Sequence, residues 1–75
     1  MQKEEQLKKL GAHIRILREG KNFSQKDLAE SIGKDQQAIQ RLEAGRVNPT
    51  FIFLCQIAEG LAVPVAELVN IQDLK

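Results

Sequence analysis

Gln36, Gln37, Gln40 and Arg41 are the side chains of this 75-residue chain with the most legible chemistry. A carboxamide can pair bidentately with the N6/N7 edge of adenine, and a guanidinium with O6/N7 of guanine, so this set fits the edges of base pairs. On a helix, these four positions fall near one face while Ile39 and Leu42 fall on the opposite one. Other chemistry is sparse. His13 is the single histidine and Cys55 the single cysteine, so neither a nucleophile–base pair nor a metal site can be assembled around them. Cys55 is expected to be a small core or boundary residue, since nothing basic adjoins it to lower its pKa, and His13 a solvated surface residue or, beside the positive cluster of the first helix, a phosphate contact. The glycines, at 11, 20, 33, 45 and 60, do not form a phosphate-cradling loop. The chain is therefore expected to be no enzyme and to need no cofactor or metal.

The elements that must position the polar face can be read from the flanking residues. Ser24 is a good helix N-cap, and Asp27 three residues later can reach back to its amide and complete a capping box. Leu28, Ala29 and Ile32 then form an apolar stripe. Gly33 stands where the helix must stop and the chain turn through a left-handed conformation, which costs a residue with a Cβ about 1–2 kcal/mol. Asp35 caps a second helix, Gln36 to Ala44, closed by Gly45. Two short helices joined by a tight glycine-containing turn fit a helix-turn-helix, and equally a plain helical hairpin. The amide and guanidinium face of the second helix favours the first reading.

Outside this pair the pattern remains helical. Leu7, Leu10, Ile14 and Leu17 recur at spacings of 3, 4 and 3, predicting a first helix that ends near Gly20–Asn22 with Asn22 as left-handed terminator. Arg46 to Thr50 reads as a loop, because Pro49 opposes helix continuation. Thr50 caps a fourth helix with Leu54, Ile57, Ala58 and Leu61 inward, and Pro64 starts a short fifth containing Val65, Leu68 and Val69. The expectation is one all-α, five-helix domain over residues 1–75, with a core from 11 to 69 and a tail from 70 to 75. One cysteine makes no internal disulfide, no apolar run reaches the roughly 18 residues of a membrane span, and MQKEEQLKKL lacks the apolar core of a signal peptide. A cytoplasmic location follows as an expectation. The net charge is only +1, yet residues 1–22 hold six bases against three acids, while residues 51–75 hold one base against three acids. The positive end suits a phosphate-facing surface; an ordinary solvated surface fits the same counts.

From Gly11 to Val69 the text IRILRE, SQKDLAESIG, QQAIQRLEAGRVNPT and LCQIAEGLAVPVAELV resembles the phage repressor and Cro (XRE-type) helix-turn-helix family. The resemblance implies a lambda repressor-like fold whose third helix reads the DNA major groove, usually as a dimer on a near-palindromic operator. It implies base contacts from Gln36, Gln37 and Arg41, a phosphate bond from Gln25 at the start of the second helix, and backbone contacts from Arg46 and Asn48. It also implies that Arg18 and Glu43 pair across facing helices. Some residues depart from the family pattern. Lys34 replaces an apolar residue, so its chain is expected to point outward toward a phosphate. Ala62 replaces a glycine and Pro64 a capping Ser or Thr, so the corner before the fifth helix is expected to be unusual.

Ile52 and Phe53 are apolar where the family is commonly polar and exposed. With Val69, Ile71 and Leu74 they form a candidate homodimer surface, Phe51 and Leu54 turning inward; folding of Ile52 or Phe53 under the Ala62–Pro64 corner is the alternative. The domain takes up almost the whole sequence, and if that sequence is the complete protein no sensing or catalytic module is expected beside it. The expected function is a sequence-specific, DNA-binding transcriptional regulator, dimeric, of repressor or controller type. The alternative is an antitoxin that binds a toxin protein as well as DNA, and an interaction module that never touches DNA is disfavoured by the polar face of the third helix.

Overall fold

Three helices of this chain begin in the same way, with a short side-chain oxygen closing on the backbone amide three residues ahead. The computed structural model describes residues 3–71, in which the helices are α1 (Lys3–Gly20), α2 (Gln25–Ser31), α3 (Gln36–Glu43), α4 (Phe51–Leu61) and α5 (Val65–Leu68), with no strand among the described residues. Ser24 Oγ accepts from the Asp27 amide at 2.9 Å, and Asp27 Oδ2 accepts from the Ser24 amide at 2.9 Å, the reciprocal capping box. Asp35 Oδ1 accepts from Ala38 N at 3.0 Å, and Thr50 Oγ1 from Phe53 N at 3.0 Å. Each cap satisfies an amide that the first helical turn leaves without a partner. Between α2 and α3 the chain turns at Gly33, whose φ of 70° is the left-handed conformation expected there. Asn22, after α1, takes the same region with φ 60°.

All five helices contribute to one core. Leu10 and Ile14 come from α1, Leu28 and Ala29 from α2, Ile39 and Leu42 from α3, Ile57, Ala58 and Leu61 from α4, and Leu68 from α5. Each buried Leu or Ile stabilises by about 1.5–3 kcal/mol, which is how a chain this small holds five short helices together. The helix-turn-helix pair α2–α3 packs most closely, and α1 lies against both α3 and α5.

Gly11 sets the distance between α1 and α3. A Cβ built there would lie 2.5 Å from the carbonyl oxygens of Leu42 and Glu43, so only glycine allows the two backbones to approach this closely.

The fourth and fifth helices differ in detail from the sequence expectation. Phe51 was expected inward and is instead 65 % exposed, like Ile52 beside it. It is the first residue of α4, and side chains lean toward a helix N-terminus, which directs Phe51 off the start of the helix. Phe53, expected outward, is half-buried against the core, in a cleft with Ala38, Val47 and Pro49. Ile71 likewise folds back onto the core, while Val69 stays exposed. Leu74, the remaining residue of the expected dimer surface, lies outside the described residues. Pro64 serves as the N-cap residue of α5 and gives it no side-chain cap, and Val69 falls just past the helix. Ala62, at the end of α4, takes φ 58°, ψ 42°, the left-handed conformation that a glycine would adopt without strain.

Candidate nucleic-acid interface

The polar face of α3 is built on a fully buried underside. Ile39 and Leu42 are held in the core, and Gln36, Gln37, Gln40 and Arg41 are all exposed, spread over an arc of about 140° at 100° per residue. Asp35 fixes where the helix starts, so Gln36 and Gln37 follow the cap directly. Gln37, Gln40 and Arg41 share a shallow open cleft with Ala44 and Arg46, so the loop after α3 brings Arg46 onto the same face. Asn48 lies near the edge of that face, lining a neighbouring cleft with Arg41 and Thr50.

Beneath the C-terminal end of α3 lies a buried polar network. Arg18 Nε donates to Glu43 Oε2 at 2.7 Å, Arg18 Nη2 to Glu43 Oε1 at 3.0 Å, and Arg18 Nη1 to the Phe23 carbonyl at 2.6 Å. The two side chains are 8 % and 4 % exposed. The hydrogen bond to Glu43 raises the guanidinium pKa above its ordinary value, against the opposing effect of burial. The pair ties α1 to α3 by a fork-on-carboxylate geometry that fixes direction as well as distance.

Two of the expected phosphate contacts are engaged within the protein. Gln25 Nε2 donates to Glu43 Oε1 at 3.0 Å, which joins the first residue of α2 to the same network. Lys34 points away from the core as expected, but its ammonium sits 5.8 Å from the centroid of the Phe53 ring rather than on the α3 face. A cation over an aromatic face is attracted by the ring quadrupole, and Phe53 is half-buried partly beneath it.

Three features of this arrangement went unread in the sequence. The Gln25–Glu43 bond has no sequence signal. Neither has His13, expected to be a solvated residue or a phosphate contact. Its Nε2 lies 2.8 Å from the Glu67 carbonyl and ties α1 to α5. A carbonyl only accepts, so Nε2 must carry the proton in that bond. Gly11, by contrast, was findable: it falls on the stripe through Leu7, Ile14 and Arg18 and so must face a neighbouring helix. Among the described residues no group of His, Cys, Asp and Glu could hold a metal ion, and no helix is long and apolar enough to cross a membrane. Cys55 is a half-buried free thiol.

Comparison with known proteins agrees with this geometry. A family model described as helix-turn-helix matches residues 14–68. The chain is 38 % identical, over 88 % of its length and 86 % of the relative, to the uncharacterized HTH-type transcriptional regulator y4dJ of Sinorhizobium fredii. Its fold is similar to that of the restriction-modification controller protein C.AhdI from Aeromonas hydrophila, with TM-score 0.81 and 32 % identity, covering 83 % of this chain and 94 % of that one. It is also similar to the hypothetical transcription factor NHTF from Neisseria, with TM-score 0.82 and 28 % identity over 91 % of this chain and 79 % of that one. The clp gene regulator ClgR from C. glutamicum gives TM-score 0.80 and 26 % identity over 85 % and 83 %. The chain belongs to the helix-turn-helix family of DNA-binding transcriptional regulators, of the XRE type.

Proposed function

We propose that the protein regulates transcription as a homodimer, each copy laying α3 in the major groove of one half of a near-palindromic operator, as a cytoplasmic repressor or controller. The observation that carries the reading is the exposed Gln36, Gln37, Gln40 and Arg41 arc, held by a core that leaves α3 little freedom to rotate. Gln36, Gln37 and Arg41 read base edges. Gln25, Arg46 and Asn48 grip the backbone, which fixes register without reading sequence, and Lys34 joins them when it leaves Phe53. The likeness to a restriction-modification controller protein supports the controller form of the reading.

The second copy docks on the α4–α5 end, where Phe51, Ile52 and Val69 expose apolar surface. Two-fold pairing there sets two reading helices about 34 Å apart, one turn of the duplex.

The test begins with DNA fragments selected by the protein from its own genome. Arg41→Ala should weaken binding to the selected fragment by about 1–3 kcal/mol more than binding to a random duplex. Equal weakening on both would reduce Arg41 to a phosphate contact. Sedimentation tests the dimer: Phe51→Lys with Ile52→Glu should give a folded monomer, and a wild-type chain already monomeric at roughly tens of micromolar would overturn the pairing.

A further inference from the structure

Glu43 does more than an interhelical ion pair requires. Besides both contacts from Arg18, its Oε1 accepts a third hydrogen bond from Gln25 Nε2, at 3.0 Å. Gln25 is only half-buried, and it opens onto a cleft that it shares with Arg15 and Gln40, beside the reading face of α3. The identity of its neighbour dictates the orientation of its amide: a carboxylate accepts only, so the NH2 group and not the carbonyl must face Glu43. A planar amide nitrogen carries two N–H bonds about 120° apart. With one directed at Glu43, the other is turned away from it and left for an external acceptor. Arg18 cancels the carboxylate charge, so an anion approaching Gln25 does not meet a bare negative group.

We propose that Glu43 is a positioning residue for DNA binding, holding one N–H of Gln25 so that the other meets a backbone phosphate. The proposal rests on the reading of Gln25 as a phosphate contact and adds what orients it. Glu43 belongs to α3 and Gln25 to α2, so the bond locks the phosphate grip to the helix that reads the bases. A sub-ångström shift of a gripping group displaces every base contact that depends on its register, which is why such a group needs a support of its own. The buried pair that ties α1 to α3 thereby also sets the geometry of the interface.

A random-sequence duplex at low ionic strength is a sufficient probe, because phosphate contacts do not depend on sequence. Affinities are measured at a temperature where circular dichroism shows every variant folded. Gln25→Ala should weaken binding about tenfold. Glu43→Gln, which keeps the size but cannot serve both donors as a carboxylate does, should weaken it about threefold in the wild-type background and hardly at all beside Gln25→Ala. Losses that simply multiply would overturn the positioning role while leaving the phosphate contact standing. No loss from Gln25→Ala would overturn the phosphate contact itself, and the positioning role with it. The wild-type protein gives a check that needs no variant. In a nitrogen-15 spectrum, one side-chain amide proton of Gln25 should move on adding the duplex while its partner stays at its carboxylate-bonded position. If both move together, the amide has left Glu43 and the proposal fails.

Discussion

The two ends of this domain are held by different physics. At the α1–α3 end a buried guanidinium bonds a buried carboxylate and the Phe23 carbonyl, and Gln25 joins the same carboxylate. At the α4–α5 end the packing is mainly apolar, with one hydrogen bond from His13 to the Glu67 carbonyl, the corner passes through a left-handed alanine, and Phe51, Ile52 and Val69 remain outside. Apolar contact rewards adjacency and tolerates rotation, whereas a bidentate hydrogen bond also fixes angle. On the proposed function, α3 needs its angle fixed to match base edges and the α4–α5 surface needs exposed area to receive a second copy, so the difference in bonding would follow the difference in task.

The largest expected effect comes from breaking the polar end. Replacing either Arg18 or Glu43 by alanine strands a buried charge, at about 3–5 kcal/mol, enough to bring a domain of this size close to unfolding at room temperature. The double variant should lose less than the sum, because the second removal takes away the charge that the first left unpaired. Thermal melts of the four proteins measure this. Strict additivity would mean that the pair is not what joins the two helices.

Next in size is the approach of α1 to α3. Gly11→Ala places a methyl group against two backbone carbonyls that cannot step aside, and should cost about 1–3 kcal/mol. Gly20, at the end of the same helix, has nothing within 4 Å of such a methyl group. Gly20→Ala should therefore be neutral or stabilising by up to about 1 kcal/mol. If the two substitutions had equal effects, helix propensity and not close approach would be the cause.

The two ends were also unequally legible in the sequence. Local rules placed the caps at Ser24, Asp35 and Thr50 and the turn at Gly33, because each depends on residues within three or four positions. The exposed arc of α3 followed from helical periodicity. The Arg18 and Glu43 pair, 25 residues apart, was named only through family resemblance, since no local rule joins such distant positions. Gln25 to Glu43 and His13 to Glu67 went unread for the same reason. The inversion of Phe51 and Phe53 had another origin. Periodicity gives the angle of a side chain around its helix, but burial depends also on whether a neighbour is present at that height: Phe51 stays exposed, while Phe53 shares a cleft with Ala38, Val47 and Pro49.

At the apolar end the comparison predicts a gain. Ala62 holds φ 58° with a Cβ, a conformation that costs an L-residue about 1–2 kcal/mol, partly offset by the greater unfolded-state freedom of glycine. Ala62→Gly should therefore stabilise the fold by roughly 0.5–1 kcal/mol and raise the melting temperature by several degrees. The measurement is a melt at fixed protein concentration, since the melting point of the proposed dimer would vary with concentration. A lower melting temperature would show that the Ala62 methyl group is packed rather than strained.

The smallest effect expected, that of the Asp27 charge, lies at the start of α2, where polar order reaches the surface. Ser24→Ala removes the cap oxygen and should cost about 0.5–2 kcal/mol. The charge on Asp27 contributes separately. Its carboxylate accepts from the Ser24 amide, and that backbone hydrogen bond, helped by the one to the Ser24 hydroxyl side, holds its pKa below the ordinary 3.8. A carboxyl with a depressed folded pKa adds stability that is present above its unfolded value and fades as the pH falls through its folded one. Asp27→Asn keeps an acceptor but removes the charge, so it should melt slightly below the wild type at neutral pH. The gap should narrow once the pH drops below 3.8 and the wild-type carboxyl takes up a proton. Paired melts across that range isolate this one group, because every other acid titrates alike in both proteins. A gap that stays constant from neutral to acid would show that the cap uses the hydrogen-bond acceptor alone and draws nothing from its charge.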